Sequence, residues 1–508
     1  MTNRAVRRWI HVHTFTKVLV ATVAVGASLN MAAPASALSS EEARARAAAL
    51  NATAAPVESD RIAHVASNPG QLAISGCFMR TAPLFVTSGV DTVKVWDVSK
   101  PRAPELTGTL PNALFENEAM NCGERRTKHG VERFALIGVD SVQASPSDPQ
   151  HVNVGGNELI VVDVSDPANP TIRSRTPGST STHTVACVDA ANCTTAYSAG
   201  DDGVGFSVFN LRDLDAPQEV DADRSTEGVQ PFASPTAGHK WNFDAAGYGT
   251  HTGWGGASMW DTEHPRHPRL VTTTGAAGRG EDPDHPGWND FILHNAFRPN
   301  AGAFKPNASP SVAHGNVLLV TEEDYEQTDC SKAGSFQTWW VKRLDGTKSA
   351  IVPLDKVELA DLGTFPLPQG AFCSSHWFDF RPGGLVAAGF YGGGTQVLDV
   401  RNPRDIKPFA HSVWGASEVW DAMWVPVYKN GRMTSGRTRV VYAIDLVRGL
   451  DVYAVDVAGN ATTRAASHHS DGLGAAEVVP MGMAGGAVAL SGLLLRLRRL
   501  RRLRRHCA

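Results

Sequence analysis

The sequence lacks the short motifs that identify several common enzyme classes. It contains no Gly-x-Ser-x-Gly nucleophile elbow, no His-Glu-x-x-His pair, no EF-hand loop and no Cys-x-x-Cys redox motif. The glycine runs at 255–256 and 392–394 lack the Lys-Ser/Thr or the helix that follows a phosphate-binding loop, so they are interpreted as strand entries. No catalytic residue is therefore assigned from a motif.

Acidic residues are missing from both ends of the chain. Residues 1–37 hold four basic residues and residues 496–508 hold seven, so these ends account for eleven of the 47 lysines and arginines. Residues 38–495 then carry 36 basic residues against 51 acidic ones, a net charge of about −15. A body of that charge repels phosphate backbones, which excludes nucleic acid as a partner.

The N-terminus has the layout of a secretory signal peptide. Arg4, Arg7 and Arg8 precede an apolar stretch at 18–25, and residues 35–37 form a small-residue cleavage site. We predict a signal peptide over 1–37. Serine, glutamate and alanine-rich sequence then predict a short helix and linker over 38–60.

The C-terminus combines an uncharged segment with arginines. The 18 uncharged residues at 478–495 would span roughly 27 Å as a helix, and the arginines of 496–508 would stay on the cytoplasmic side. This order resembles the anchors and sorting tails of bacterial surface proteins, although no LPxTG-type motif precedes it. We predict a stalk over 461–477, a transmembrane or sorting segment, and a basic tail. The membrane is thus an expected partner, and the location is the extracellular face of the membrane or cell surface, with a processed, secreted form as the alternative.

Seven cysteines are present, and Cys507 lies in the predicted cytoplasmic tail. The other six would face an oxidising compartment, where an even number favours disulfides. Cys187 and Cys193 flank a short stretch that is typical of a hairpin turn. Proximity along the chain then favours Cys77–Cys122 and Cys330–Cys373, out of fifteen pairings that six cysteines allow.

One phrase recurs along residues 61–460: an alternating apolar strand that ends in Asp, followed by a turn with one or two prolines. Copies lie at 93–104, 159–170, 208–217, 259–268, 397–403 and 450–456, with a degenerate one at 339–345. The Asp can accept hydrogen bonds from turn amides, and proline stops the strand. Since one such sheet cannot bury both faces alone, the copies predict an all-β propeller, with seven blades and a range of six to eight. An N-terminal strand near 61–66 would close the ring.

The stretch Leu159-Ile160-Val161-Val162-Asp163 resembles the LVIVD repeat, and the other copies are similar to it. Proteins with this repeat are bacterial and archaeal surface proteins, so the resemblance implies a β-propeller at the cell surface. It covers about residues 71–459 and implies no particular activity.

A second periodic feature is a histidine ahead of several blades. The four are expected to begin the innermost strands and to converge on the central channel, where they are candidate metal ligands: His183, His239, His294 and His376. Residues 421–426 occupy the same place without a histidine. Glu322, Glu323 and Asp324 could add carboxylates. The alternative is that the histidines only order the channel mouth through hydrogen bonds to neighbouring blades.

Other polar residues have simpler interpretations. His251, His264 and His267 are expected in exposed loops. The acids at 322–324, with those at 281, 282 and 284, could attract Ca²⁺, but a solvated loop is the simpler interpretation.

Two functional hypotheses follow. The first is a surface-anchored propeller that binds or scaffolds a protein, glycan or small ligand. The second is a metal-dependent extracellular enzyme with a histidine-lined channel holding Cu, Zn or Ca. The second rests on fold analogy with copper-dependent methanethiol oxidases, also called selenium-binding proteins, none of whose motifs matches here residue by residue.

Overall fold

The computed structural model describes residues 55–458, with gaps at 90–91, 112–117, 119, 140–156, 201–203, 275–287, 289–290, 325, 348 and 369–372. The predicted signal peptide, N-terminal helix, stalk, apolar segment and basic tail lie outside the described residues. Within the described part, no helix is both long and apolar enough to cross a membrane.

The chain begins with two short strands and then builds three antiparallel sheets in sequence. The first two strands are β1 (Val57–Glu58) and β2 (Ile62–Asn68). Blade 1 contains β3 (Ala73–Phe78), β4 (Leu84–Gly89), β5 (Thr92–Asp97) and β6 (Glu105–Pro111). Blade 2 contains β7 (Asn121–Thr127), β8 (Gly130–Val139), β9 (Glu158–Asp163) and β10 (Thr171–Pro177). Blade 3 contains β11 (Thr184–Cys187), β12 (Thr195–Ala199), β14 (Val208–Asn210) and β15 (Gln218–Glu219), with a side ribbon of β13 (Gly205–Phe206) and β16 (Phe232–Ala233).

Four further blades follow. Blade 4 contains β17 (Gly238–Phe243), β18 (Tyr248–Gly253), β19 (Gly256–Asp261) and β20 (Arg269–Thr273). Blade 5 contains β21 (Ile292–Phe297), β22 (Val317–Glu323), β23 (Phe336–Val341) and β24 (Ile351–Val357). Blade 6 contains β25 (Phe378–Arg381), β26 (Leu385–Gly389), β27 (Thr395–Asp399) and β28 (Lys407–Val413). Blade 7 contains β29 (Val419–Lys429), β30 (Arg432–Asp445) and β31 (Gly449–Val455). Three 3-10 turns, at Ala301–Ala303, Val312–His314 and Leu359–Asp361, are the helical elements of the described chain.

The N-terminal strands close the ring. β2 pairs with β31 from Ile62 opposite Val455 to Asn68 opposite Leu450, so it is the outer strand of blade 7. β1 adds a fifth strand to blade 6, because Val57 pairs with Val413. The propeller therefore begins at Val57, four residues before the boundary at 61 that the sequence predicts. The prediction of a seven-bladed all-β propeller is confirmed, and the N-terminal strands complete the last two sheets of the ring.

The Asp-Pro phrases occupy the same corner in every blade, after the third strand. In each corner an Asp or Asn side chain accepts a hydrogen bond from the backbone N–H two residues later, at 2.7–3.2 Å, the acceptors being Asp97, Asp163, Asn210, Asp261, Asp345, Asp399 and Asp456. The degenerate copy in blade 5 keeps this bond with its Asp displaced beyond the strand, at Asp345. Repetition in the sequence thus corresponds to one repeated local structure.

The corners also connect adjacent blades. A proline carbonyl in the turn accepts a side-chain hydroxyl from the preceding blade: Tyr442 donates to Pro101 at 2.8 Å and Tyr197 donates to Pro265 at 2.5 Å. Apolar side chains fill the layers between blades; Val86 and Val95 of blade 1, for example, share a fully buried cluster with Ile160 of blade 2. Burying each such side chain contributes roughly 1.5–3 kcal/mol.

Three disulfides reinforce this packing, and they are the pairs that the sequence predicts. Cys77–Cys122 joins the inner strands of blades 1 and 2. Cys187–Cys193 closes the loop between β11 and β12, and Cys330–Cys373 links a loop of blade 5 to the segment before blade 6.

Two expectations about polar residues are wrong. His251 is not in a loop: it lies in β18, fully buried, with its ring stacked 4.3 Å from that of Trp241, and burial lowers its pKa to about 3. Glu322 and Glu323 are not solvated either, because β22 continues through both of them and buries their side chains. The acids at 281, 282 and 284 lie outside the described residues, whereas His264 and His267 are exposed as expected.

Candidate metal centre

The four candidate histidines begin the inner strands of four successive blades. His239 lies in β17 and His294 in β21, while His183 immediately precedes β11 and His376 lies two residues before β25. Each is at most 1% exposed. Their rings form a continuous row, with centroid separations of 4.5 Å from His183 to His239, 4.1 Å from His239 to His294 and 4.0 Å from His294 to His376.

An irregularity in the strands positions two of these rings. In blade 4, Gly238 pairs with Gly253 and Lys240 with Thr252, so His239 is an extra residue in the register. The same shift in blade 5 makes His294 the extra residue. Such a β-bulge redirects a side chain out of the regular alternation. A Cβ on Gly238 would lie 2.4 Å from the Nε2 atom of His251, so glycine is required beside His239.

The same bulge occurs between the two innermost strands of blades 1, 4, 5 and 7, and a histidine occupies it in blades 4 and 5. Blade 1 has the same shift at Ile74 and blade 7 has it at Trp420, where no histidine is present. Trp420 instead packs against His376 at 4.9 Å between ring centroids. The channel is thus asymmetric, with imidazoles on one side.

Glu118 lies at the focus of the row, and sequence reasoning missed it. It comes from the segment between β6 and β7 and is 4% exposed. Its Oε1 atom is 2.9 Å from the Nε2 atoms of both His294 and His376, and its Oε2 atom contacts the Nε2 atom of His183. One carboxylate therefore contacts three of the four imidazoles.

Glu323 approaches the same space from the end of β22. Its Oε2 atom is 3.6 Å from the Nε2 atom of His294 and 3.9 Å from that of His239. Tyr391 donates a hydrogen bond of 2.5 Å to the other oxygen, Oε1. Tyr391 has a φ of 43°, in the left-handed region that costs a non-glycine residue energy, and such conformations occur most often at functional sites.

The geometry brings together a donor set that fits a transition metal. Ligand atoms of Glu118, His239, His294 and Glu323 all lie within 4.8 Å of one another. Four donors around a tetrahedral zinc at 2.0–2.1 Å are roughly 3.4 Å apart, so small side-chain rotations would complete the site. Two nitrogens and two carboxylates suit Zn or Cu, whereas Ca²⁺ takes six to eight oxygens. Two of the four predicted histidines belong to this group, and His183 and His376 contact Glu118 beside it.

The hydrogen bonds of His376 point to a cation. Its Nδ1 atom is 2.7 Å from the carbonyl oxygen of Trp420, and its Nε2 atom faces the Glu118 carboxylate. Both partners are acceptors, and a neutral imidazole has only one N–H to donate. Because Glu118 is held ionised by its lowered pKa, the ring requires either a second proton or a positive ion shared with Glu118.

The electrostatics of the cluster favour an ionised Glu118 and a neutral His294. Burial opposes ionisation of Glu118, but the facing His183 and His239 outweigh it and hold its pKa well below the usual value. Burial and the neighbouring His376 hold the pKa of His294 well below its usual value. An ionised carboxylate and a neutral imidazole are the forms that bind a metal.

Lys240 and Asp421 border the cluster. The Lys240 ammonium lies 3.9 Å from the ring centroid of Trp377, which in turn packs 4.1 Å from the His294 ring. Loss of hydration lowers the pKa of Lys240 to about 8, and burial raises the pKa of Asp421 to about 7. Asp421 is the residue that follows the bulge in blade 7, the blade that lacks the histidine.

Fold and site together define a seven-bladed β-propeller with a buried histidine–carboxylate cluster in its channel. The LVIVD repeat family model matches residues 151–176, which include β9 and its corner. Among solved structures, the β-propeller domain of Cps50 (Swd1) from Myceliophteria thermophila is similar, with 13% identity and a TM-score of 0.45, over 78% of this chain and 99% of that one. A comparison with curated proteins gives no match.

Proposed function

We propose that this protein is a β-propeller binding module whose channel holds one divalent transition-metal ion, Zn or Cu. The ligands would be Glu118, His239, His294 and Glu323. The single observation that supports this most is the convergence of side chains from separate blades, and from a segment outside any blade, on one buried space.

The charges of the cluster favour a metal over a purely structural role. Glu118 and Glu323 bring two carboxylates into a region where each is 4% exposed. Buried charges are stable only when they are paired or coordinate a metal. A divalent cation would neutralise both carboxylates and leave the imidazoles neutral, whereas hydrogen bonding alone would require a second proton on His376, whose two ring nitrogens both face acceptors when Glu118 is ionised.

The number of ligands favours binding over turnover. Four protein ligands would fill the coordination of a tetrahedral zinc, as in structural sites, whereas catalytic zinc keeps an open position. A metal-dependent extracellular enzyme is the second candidate. It is supported by Lys240 and Asp421, whose pKa values of about 8 and about 7 suit proton transfer near neutral pH.

The propeller faces would carry the partner interactions that the first hypothesis requires, with a surface protein, a glycan or a small ligand. Export and display at the cell surface are part of the proposal, and three disulfides support them because such bonds persist in oxidising compartments. Protease treatment of intact cells tests the location: the propeller should be accessible, and full protection would contradict display.

The metal proposal is tested by elemental analysis of the purified protein, by plasma mass spectrometry. Wild type should contain about one Zn or Cu per chain. His239→Ala and His294→Ala should each lose it, because each removes a ligand. His264→Ala is the matched control, since that histidine is exposed in a turn of blade 4. Absence of metal from the wild type, or retention in both channel variants, would contradict the proposal.

A further inference from the structure

A second candidate site lies at the other ends of the inner strands. The histidines are at the starts of these strands, whereas this cavity of about 300 Å³ begins where β3 ends. It is lined by residues of blades 1, 2, 3 and 7, among them Arg80, Thr81, Glu124, Arg126 and Arg432. We call it the arginine pocket. A six-residue strand such as β3 is about 20 Å long, so the pocket and the metal centre are separate.

The hairpin of blade 7 forms one wall. Strands β29 and β30 are joined by Asn430 and Gly431, with φ values of 50° and 72°, the left-handed pair that a tight two-residue hairpin turn requires. Beyond this turn, the Met433 N–H donates to the Arg80 carbonyl at 2.7 Å, and the Tyr428 hydroxyl donates to the Met79 carbonyl at 2.7 Å. The hairpin is thus fastened to blade 1, and Arg432 is held at the pocket.

Glu124 and its neighbours form a rigid floor. The Oε1 atom of Glu124 accepts the backbone N–H groups of Arg80 at 2.7 Å and Thr81 at 2.9 Å. The backbone of Glu124 is bonded to the middle and to one end of the disulfide-closed loop of blade 3, through Ala190 at 3.0 Å and Cys193 at 2.9 Å. The Arg133 Nε atom lies 3.9 Å from this carboxylate and offsets its charge. The floor is preorganised: one oxygen of its acid is engaged, and among the described residues the other, Oε2, is buried without a hydrogen-bond partner.

The pocket arginines differ from others nearby in having no acidic partner. Arg125 pairs with Glu132 at 2.8 Å, and Arg437 pairs with Asp379 at 3.4 Å. Across the described residues, no hydrogen bond or ion pair joins the guanidinium groups of Arg80, Arg126 or Arg432 to a protein carboxylate. In a body with a net charge of about −15, three exposed arginines line one cavity beside a single carboxylate, that of Glu124, which leaves positive charge available.

We propose that the arginine pocket binds a small anion through a phosphate or carboxylate group. A guanidinium presents parallel N–H donors that match both groups, and such charge-assisted bonds are about twice as strong as neutral ones. The volume of about 300 Å³ is at the lower end of the range for small-molecule sites, which favours a metabolite-sized ligand over a polymer.

The test is calorimetric titration of the full chain with inorganic phosphate and, separately, with succinate. At least one anion should bind the wild type, and the tighter of the two identifies the source as phosphate or carboxylate. Arg126→Ala and Arg432→Ala should each weaken binding about tenfold, the usual effect of losing a charged hydrogen bond. Arg102→Ala, an exposed arginine of blade 1 outside the pocket, is the matched control and should bind as the wild type does.

Two further variants make the outcome decisive. Arg432→Glu should abolish binding by repulsion, and because the residue is exposed at a hairpin end, its unfolding midpoint should stay close to that of the wild type. His294→Ala, which removes a proposed metal ligand, should retain anion binding. The anion proposal can therefore hold even if the metal proposal is wrong. Binding of neither anion by the wild type, equal losses in Arg102→Ala, or unchanged binding in both pocket variants would overturn the proposal.

Discussion

The Asp-Pro corners and the channel mouth use repetition in opposite ways. At the corners, each blade has the same side-chain acceptor for the same turn amide, and the bond lies within three residues of chain. At the channel mouth, the bulge recurs but the side chain changes from Ile74 to His239 to Trp420. The shared features build the ring, and the departures from them create the site.

The two regions should also differ in how much one side chain contributes to the free energy of unfolding. A corner Asp is partly hydrated, and its loss affects one turn of one blade. Glu118 is buried against three imidazoles from three blades, so its removal leaves their polar atoms without a partner in a space closed to water.

The largest expected effect is that of Glu118→Ala. In metal-free protein it should lower the free energy of unfolding by about 3–5 kcal/mol, as for other broken buried ion pairs. Urea unfolding in the presence of a chelator measures this. Glu105→Ala, whose side chain is 69% exposed, is the matched control and should change stability by under about 1 kcal/mol. A loss for Glu118→Ala as small as that of the control would remove the contrast between the two regions.

His251 sharpens the comparison, because it is a buried histidine in the same blade as His239 but outside the cluster. Its pKa is lowered by burial from 6.5 to about 3, so the unfolded chain takes up a proton that the folded protein does not between those pH values. The contribution of His251 to the free energy of unfolding is therefore fully present above pH 6.5. As the pH falls toward 3, the free energy of unfolding decreases by about 3–5 kcal/mol through this group. His251→Phe should make the unfolding free energy less dependent on pH across that window. An unchanged pH dependence would show that His251 does not titrate in this way.

Tyr391→Phe tests the support of the metal ligands. Tyr391 fixes one oxygen of Glu323 and leaves the other facing His239 and His294. Loss of the hydroxyl should weaken metal affinity about 10- to 100-fold, the usual effect of an outer hydrogen-bond partner, in competition with a chelator of known affinity. Tyr248→Phe is the control, as a half-buried tyrosine of blade 4 away from the cluster. Equal affinities in both variants would exclude a positioning role.

The smallest effect is expected at a corner. Asp163→Ala removes the 2.8 Å bond to the Ser165 N–H and should lower the free energy of unfolding by about 1 kcal/mol, with metal content unchanged. Urea unfolding and elemental analysis on one preparation give both values. A loss comparable to that of Glu118→Ala would mean that the corners, too, determine stability individually.

Local patterns were the predictable part of this protein. The Asp-Pro phrase predicts the corner because the hydrogen bond is made within a few residues, and a histidine in the same place at the start of four inner strands predicts a common end of the ring. The cysteine pairs follow from short chain separations of 6, 43 and 45 residues.

The remaining features depend on contacts between distant residues. Glu118 belongs to a segment without strand pattern, and its position against His376, 258 residues away, results from closing the whole ring. The sequence of β18, Tyr-Gly-Thr-His-Thr-Gly, suggests a loop because its glycines and threonines lack apolar alternation, and packing on Trp241 makes it a buried strand. β22 continues through two glutamates because Ser335 and Gln337 hydrogen-bond Glu322, and Tyr391 hydrogen-bonds Glu323.

The most direct test of the central claim is a crystal structure of the protein grown with zinc, with data collected at the zinc absorption edge. A single anomalous peak should lie among Glu118, His239, His294 and Glu323, about 2.0–2.2 Å from their ligand atoms. A channel without a peak, with the imidazoles still bonded to Glu118, would contradict the claim that these blades converge to hold a metal.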